Sequence, residues 1–83
     1  MSSDPNQAIR EILQAVLQLD AVPAQGKDLR RSETPTWDSL AHVNLVFSIE
    51  SELQIQFGAE ELGELDSLSK LVSAAEKHLA AGG

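Results

Sequence analysis

The sequence predicts an all-α fold of four helices. Three stretches carry apolar residues at helical spacing behind a capping residue, and a shorter helical segment sits between the last two. The one alternation that imitates a strand, Gln54-Ile55-Gln56-Phe57, is stopped by Gly58 after a single short period, and no second strand is present to pair with it. A hydrophobic fraction of 42% in 83 residues is ordinary for a folded chain and argues for order despite a net charge of -7.

The first helix, expected over 5–19, opens at Asp4-Pro5-Asn6-Gln7: an N-cap acid, proline at the first helical position, and a glutamine placed for a capping box. Ile9, Ile12, Leu13, Val16 and Leu17 form its apolar face. From Ala21 to Trp37 the chain holds Pro23, Gly26 and Pro35 without sustained periodicity, which reads as a long loop anchored by Leu29 and Trp37, with room for a helical turn. The second helix is expected over 39–53. It has too many apolar residues for one stripe, with Val43, Val46 and Leu53 read as an inward row and Leu40 and Phe47 as an edge open to a partner. An extended connector points Ile55 and Phe57 inward. A short helix follows over 59–64, with Leu62 and Leu65 buried. The last helix, over 67–80, is capped by Asp66 or Ser67 and buries Leu68, Leu71, Val72, Ala75 and Leu79. Gly82-Gly83 is expected to fray.

A chain of this length holds one domain (1–83) with a modest core and no cleft between lobes, so its function is expected on its surface or on an attached group. The absence of cysteine removes disulfides and thiolate metal sites, and any thiol chemistry would need an added group. The polar start Met1-Ser2-Ser3-Asp4-Pro5 lacks the pattern of a signal peptide and no apolar run is long enough to span a bilayer, so a cytoplasmic location without membrane insertion is expected. The acidic balance disfavours nucleic acid and anionic surfaces. Between Arg31 and Lys70 the acids Glu33, Asp38, Glu50, Glu52, Glu60, Glu61, Glu64 and Asp66 are interrupted by no lysine or arginine, which suits a basic partner surface.

The residues that carry chemistry sit where the loop becomes the second helix, Thr36-Trp37-Asp38-Ser39-Leu40-Ala41-His42. Asp38 or Ser39 serves as a helix cap on one reading. On the other, Ser39 bears a phosphate-linked group, since a first-turn hydroxyl is exposed and lies near free backbone N–H groups and the positive end of the helix dipole. Asp38, Ser39 and His42 are also the residue types of a nucleophilic triad. They crowd one helix end, however, with no G-x-S-x-G elbow or oxyanion loop, so no enzyme is expected. His42 is read as a surface or loop-packing residue, and His78 as a C-terminal residue favourable to the helix dipole. No metal site is expected: the two histidines are far apart, and Glu60-Glu61-Leu62-Gly63-Glu64 lacks the ligand alternation of a calcium loop.

Taken together, Asp38-Ser39-Leu40 opening a long helix, its spacing to Val43, Val46 and Leu53, the following Ile55-Gln56-Phe57, and Leu62, Leu65 and Leu68 leading into the last helix resemble the acyl carrier proteins and their peptidyl and aminoacyl relatives. The resemblance implies a four-helix bundle with a long first loop and a short third helix. It further implies that Ser39 is the attachment point of 4′-phosphopantetheine, transferred from coenzyme A by a magnesium-dependent phosphopantetheinyl transferase, with Asp38 assisting. The terminal thiol of the arm would hold an acyl or aminoacyl group as a thioester. Leu40, Phe47, Glu50 and Glu52 fall where such proteins meet their enzymes, here a loading ligase and acyl-processing enzymes with basic docking patches, and a monomer is expected. The triplet recurs at Asp66-Ser67-Leu68, where the family pattern places a helix cap, so Ser67 is assigned to capping. Leu45, Ile49 and Leu62 are candidates for lining a cargo pocket between the second and third helices.

The chain departs from familiar fatty-acid carriers at Trp37, where they usually have glycine, at Asn44 and Ser51, where they tend to have acids, and at Gly58, where they have proline. A specialised stand-alone carrier is therefore preferred, with an unmodified helical interaction module as the alternative. Trp37 is expected to pack the loop rather than flank the arm.

Overall fold

A computed structural model describes residues 4–24 and 26–82, the side chains of 81 and 82 excepted. Among the described residues four α-helices run in the order α1 (Pro5–Leu17), α2 (Ser39–Leu53), α3 (Ala59–Leu62) and α4 (Leu68–Gly82), with a 3-10 turn at Arg31–Glu33 inside the long connection. The expected all-α arrangement with a long first loop and a short third helix is thus present. Helix α1 packs against both α2 and α4. No helix among the described residues is long and apolar enough to cross a membrane.

The start of α1 follows local chemistry. Asp4 accepts a hydrogen bond from the Asn6 N–H at 3.0 Å, and Pro5 fills a position whose N–H would have no partner. Ile9, Leu13 and Leu17 are fully buried, with Ile12 and Val16 packed beside them. The helix stops at Leu17, two residues short of the expected end. Gln18 turns left-handed (φ 56°, ψ 48°), the N–H groups of Gln18 and Leu19 both bond the Gln14 carbonyl, and Leu19 folds back onto the core. Helix α2 ends the same way: Gln54 is left-handed (φ 56°), Glu50 O accepts from the N–H groups of Gln54 and Ile55, and Ile55 packs on the core. Leu17-Gln18-Leu19 and Leu53-Gln54-Ile55 are one stop signal used twice. In each, burial of the second apolar residue offsets a left-handed glutamine, which costs roughly 1 kcal/mol.

Helix α2 is central. Leu45 and Ile49 are fully buried, with Ala41, His42 and Val46 buried beside them. Val43, expected in the inward row, is instead 48% exposed. At about 100° per residue, position 43 lies roughly 160° round the helix from Leu45, on the outer face with Leu40 and Phe47. Phe57 is buried and Ile55 half-buried, as the connector pattern anticipates. Helix α3 is a single turn, shorter than the expected 59–64: past Leu62 the α-helical bonding gives way to tighter turns, with the Glu64 N–H on Glu61 O and the Leu65 N–H on Leu62 O, and Leu65 is buried in the core. Helix α4 begins at Leu68 behind its cap Ser67, whose Oγ accepts from the Lys70 N–H at 3.2 Å, and it continues past 80 to Gly82. The expected fraying concerned Gly82-Gly83. Gly82 is helical, and Gly83 lies outside the described residues.

The long connection is held by groups that its own composition does not reveal. Arg10, buried on α1, donates to the carbonyls of Ala24 at 2.7 Å and Lys27 at 2.8 Å, while Asn6 Oδ1 accepts from its Nε. Further on, Leu29 O accepts from Leu68 N–H and Asp66 O from Arg31 N–H, each at 2.8 Å, strapping the connection across the start of α4. Asp28 adds a second cap to that helix, accepting from Ser69 N–H at 2.9 Å and Ser69 Oγ at 3.1 Å. Desolvation works against the charged form of Asp28, although the residue is exposed. Its hydrogen bonds from Ser69 and Leu29 nevertheless hold its carboxyl below the usual aspartate range.

Candidate functional site at the start of α2

The site is assembled from the last residues of the connection and the first turn of α2. Asp38 is extended (φ -93°, ψ -172°), and its Oδ1 accepts from the Ala41 N–H at 2.9 Å, so it is the N-cap. Ser39 is then the first helical residue and is exposed. Its Oγ accepts from the Arg31 Nη2 at 3.3 Å, while Arg31 Nε donates to the Trp37 carbonyl at 3.3 Å.

Beneath the surface, Trp37 and His42 form the floor. Trp37 is 2% exposed, and its indole N–H donates to His42 Nδ1 at 3.0 Å, with the rings stacked at 6.1 Å. Because Nδ1 is the acceptor, the His42 proton sits on Nε2 and is donated to the Leu62 carbonyl at 2.8 Å. His42 is therefore a packing residue that ties α2 to the Trp37 loop and to α3, and it is not at the surface. Both ring nitrogens are occupied, which leaves neither for the Ser39 hydroxyl.

The second Asp-Ser-Leu triplet has the opposite setting. Ser67 is 6% exposed, lies under the Leu29–Arg31 strap, and uses its Oγ on Lys70 N–H, with Ser69 Oγ at 3.3 Å. Identical local sequence thus gives one exposed and one enclosed serine. What differs is which segment packs across it.

Around the site, Leu40 and Phe47 are 71% and 65% exposed and make, with Val43, an apolar row at i, i+3 and i+7 on the outer face of α2. Glu52 is exposed. Glu50 is not available in the same way: it is half-buried, and its Oε2 accepts from the Phe57 N–H at 2.8 Å, pinning the connector to α2. Leu45 and Ile49 belong to the closed core rather than to an open pocket. A hollow of about 310 Å³ lies instead between Val16, Leu17 and Gln18 at the α1 end, Thr36 and Asp38 of the connection, and Leu40, Ala41 and Asn44 of α2.

On the far side, Glu61 clamps α3. Its carboxylate receives His78 Nε2, 3.0 Å from both oxygens, and the Gly58 N–H at 3.1 Å. The hydrogen bond from His78, with that from Gly58, lowers the Glu61 pKa from its ordinary value. His78 also meets the Phe57 ring edge-on at 5.5 Å, so its role is lateral packing between α4 and α3 rather than service to the end of α4. No group of three potential metal ligands occurs among the described residues.

Arg31 is the residue that sequence reasoning missed at the site. Its only signal is position, as the last cation before residues 32–69, which contain no lysine or arginine. In comparisons with known proteins, neither a family model nor a curated protein nor a solved structure matches the chain.

Proposed function

We propose that this chain is a carrier protein: Ser39 bears 4′-phosphopantetheine and presents an acyl or aminoacyl group to partner enzymes. The observation that carries the reading is the contrast between its two Asp-Ser-Leu triplets. Ser39 is exposed on the first turn of α2, whereas Ser67 is enclosed as a cap. In the installing reaction the Ser39 oxygen attacks the β-phosphorus of coenzyme A. An oxygen–phosphorus bond forms, the pyrophosphate bridge breaks, adenosine 3′,5′-bisphosphate leaves, and the serine proton passes to a base of the transferase. The arm supplies the thiol that a chain without cysteine lacks, and so a thioester site.

The residues present fit this group. Asp38 caps the first turn of α2, Trp37 and His42 tie the loop to that helix, and Arg31 places a cation at the exposed Ser39 hydroxyl. Leu40, Val43 and Phe47 offer apolar anchors, with Glu52 nearby on the same helix, for partner enzymes with basic, partly apolar docking patches. A transferase, a loading ligase and acyl-processing enzymes are the partners this predicts. The same exposed apolar row would also suit an unmodified helical interaction module, and a mass measurement separates the two. With coenzyme A, magnesium and a broad-specificity transferase, the carrier gains about 340 Da on Ser39, the formula mass of the arm. Ser39→Ala abolishes the gain and Ser67→Ala retains it. No gain in the wild-type chain, or an arm on Ser67, overturns the proposal.

A further inference from the structure

Arg31 is held at its backbone and at two points of its guanidinium. Its backbone N–H is tied to Asp66 O at 2.8 Å, its Nε to Trp37 O at 3.3 Å, and its Nη2 reaches Ser39 Oγ at 3.3 Å. An exposed neutral hydroxyl gains little from this, since water satisfies it equally well and ordering an arginine costs side-chain entropy. A phosphate oxygen in the same place turns the contact into a charge-assisted pair, the use for which a planar guanidinium is best shaped. The need is also local. Asp38 adjoins Ser39, Glu33 lies two residues from Arg31, and no lysine or arginine occurs between Arg31 and Lys70 to offset a further negative charge.

Resting on the carrier reading, we infer that Arg31 is a positioning residue for the phosphodiester on Ser39. Its Nη2 moves from the serine oxygen to a non-bridging phosphate oxygen after modification, while Nε stays on the Trp37 carbonyl. The arm then leaves the protein in one direction, set by a guanidinium that is itself braced on the loop and, through its backbone, on the start of α4.

The test compares apo and loaded forms of the wild type, Arg31→Met and Arg31→Lys, with loading on Ser39 verified by intact mass. Thermal melting and the phosphorus-31 resonance of the phosphodiester are read at low and high salt. Loading is expected to raise the wild-type melting temperature by about 2–4 °C at low salt, an exposed charge pair in a domain of this size, and salt should screen the gain. The gain should vanish in Arg31→Met and return in part in Arg31→Lys, with the phosphorus resonance displaced in Arg31→Met. Full loading with the same melting gain and resonance in all three chains overturns the role of Arg31 and leaves the carrier reading standing. No loading of the wild type overturns both. Should Arg31→Met fail to fold, the wild type and Arg31→Lys decide: salt-independent and identical resonances overturn the assignment.

Discussion

Replacing Trp37 probes the floor of the candidate site. The indole is 2% exposed in the core and supplies the hydrogen bond that holds His42 Nδ1. Truncation to alanine removes about 3–5 kcal/mol of packing and leaves the buried imidazole acceptor without its donor, for about 1 kcal/mol more. At roughly 0.05–0.15 kcal/mol per residue, a chain of 83 residues has about 4–12 kcal/mol in total, so Trp37→Ala consumes a third to all of it. Trp37→Phe keeps most of the apolar volume, loses the N–H and should cost about 1–2 kcal/mol, a fall of about 5–12 °C in melting temperature. The assay is urea and thermal unfolding followed by far-ultraviolet circular dichroism, because the substitution removes the only tryptophan available to fluorescence. If Trp37→Ala melted within about 2 °C of the wild type, with Ser39 loading slowed, packing would be refuted and a role beside the arm favoured.

Two further perturbations test the scaffold. Arg10→Met retains the apolar stem of a buried side chain but deprives the carbonyls of Ala24 and Lys27 of their donor; a loss of about 2–3 kcal/mol, or roughly 10–15 °C, is expected, with faster amide exchange in the connection. An unchanged melting temperature would mean that Arg10 does not hold the loop. The second concerns pH. Asp28 and Glu61 both have carboxyl pKa values lowered in the fold, from ordinary values of 3.8 and 4.5. A depressed carboxylate contributes stability above its unfolded pKa and loses it as pH falls through the folded one, so stability should decline on acidification from about pH 5 downward. Asp28→Asn and Glu61→Gln should each flatten that decline in acid melting curves, and an unaltered slope would show that these pairs do not drive it.

The location of the four helices was legible in the sequence because it depends on near neighbours. Caps at Asp4, Asp38 and Ser67 and apolar residues at 3.6-residue spacing act within a turn or two of themselves, so α2 begins and ends where its pattern says. The helix ends at Leu17 and Leu53 were legible in principle, in the repeated apolar-Gln-apolar signal, although only the second coincided with the end of the periodicity. Tertiary packing decided the rest. Val43 faces out because the rest of the chain packs against the Leu45–Ile49 side of a helix apolar on several sides. Glu50 was drawn inward by the N–H of Phe57, seven residues on, and Arg10 by carbonyls 14 and 17 residues on. The stretch from Thr36 to Phe47 was marked as the centre of the chain by its residues alone. Which of two identical triplets kept its serine exposed was settled by the strap from Leu29 to Arg31, which closes over Ser67 and brings the Arg31 guanidinium to Ser39. Such contacts depend on segments far apart in sequence, and no local pattern encodes them.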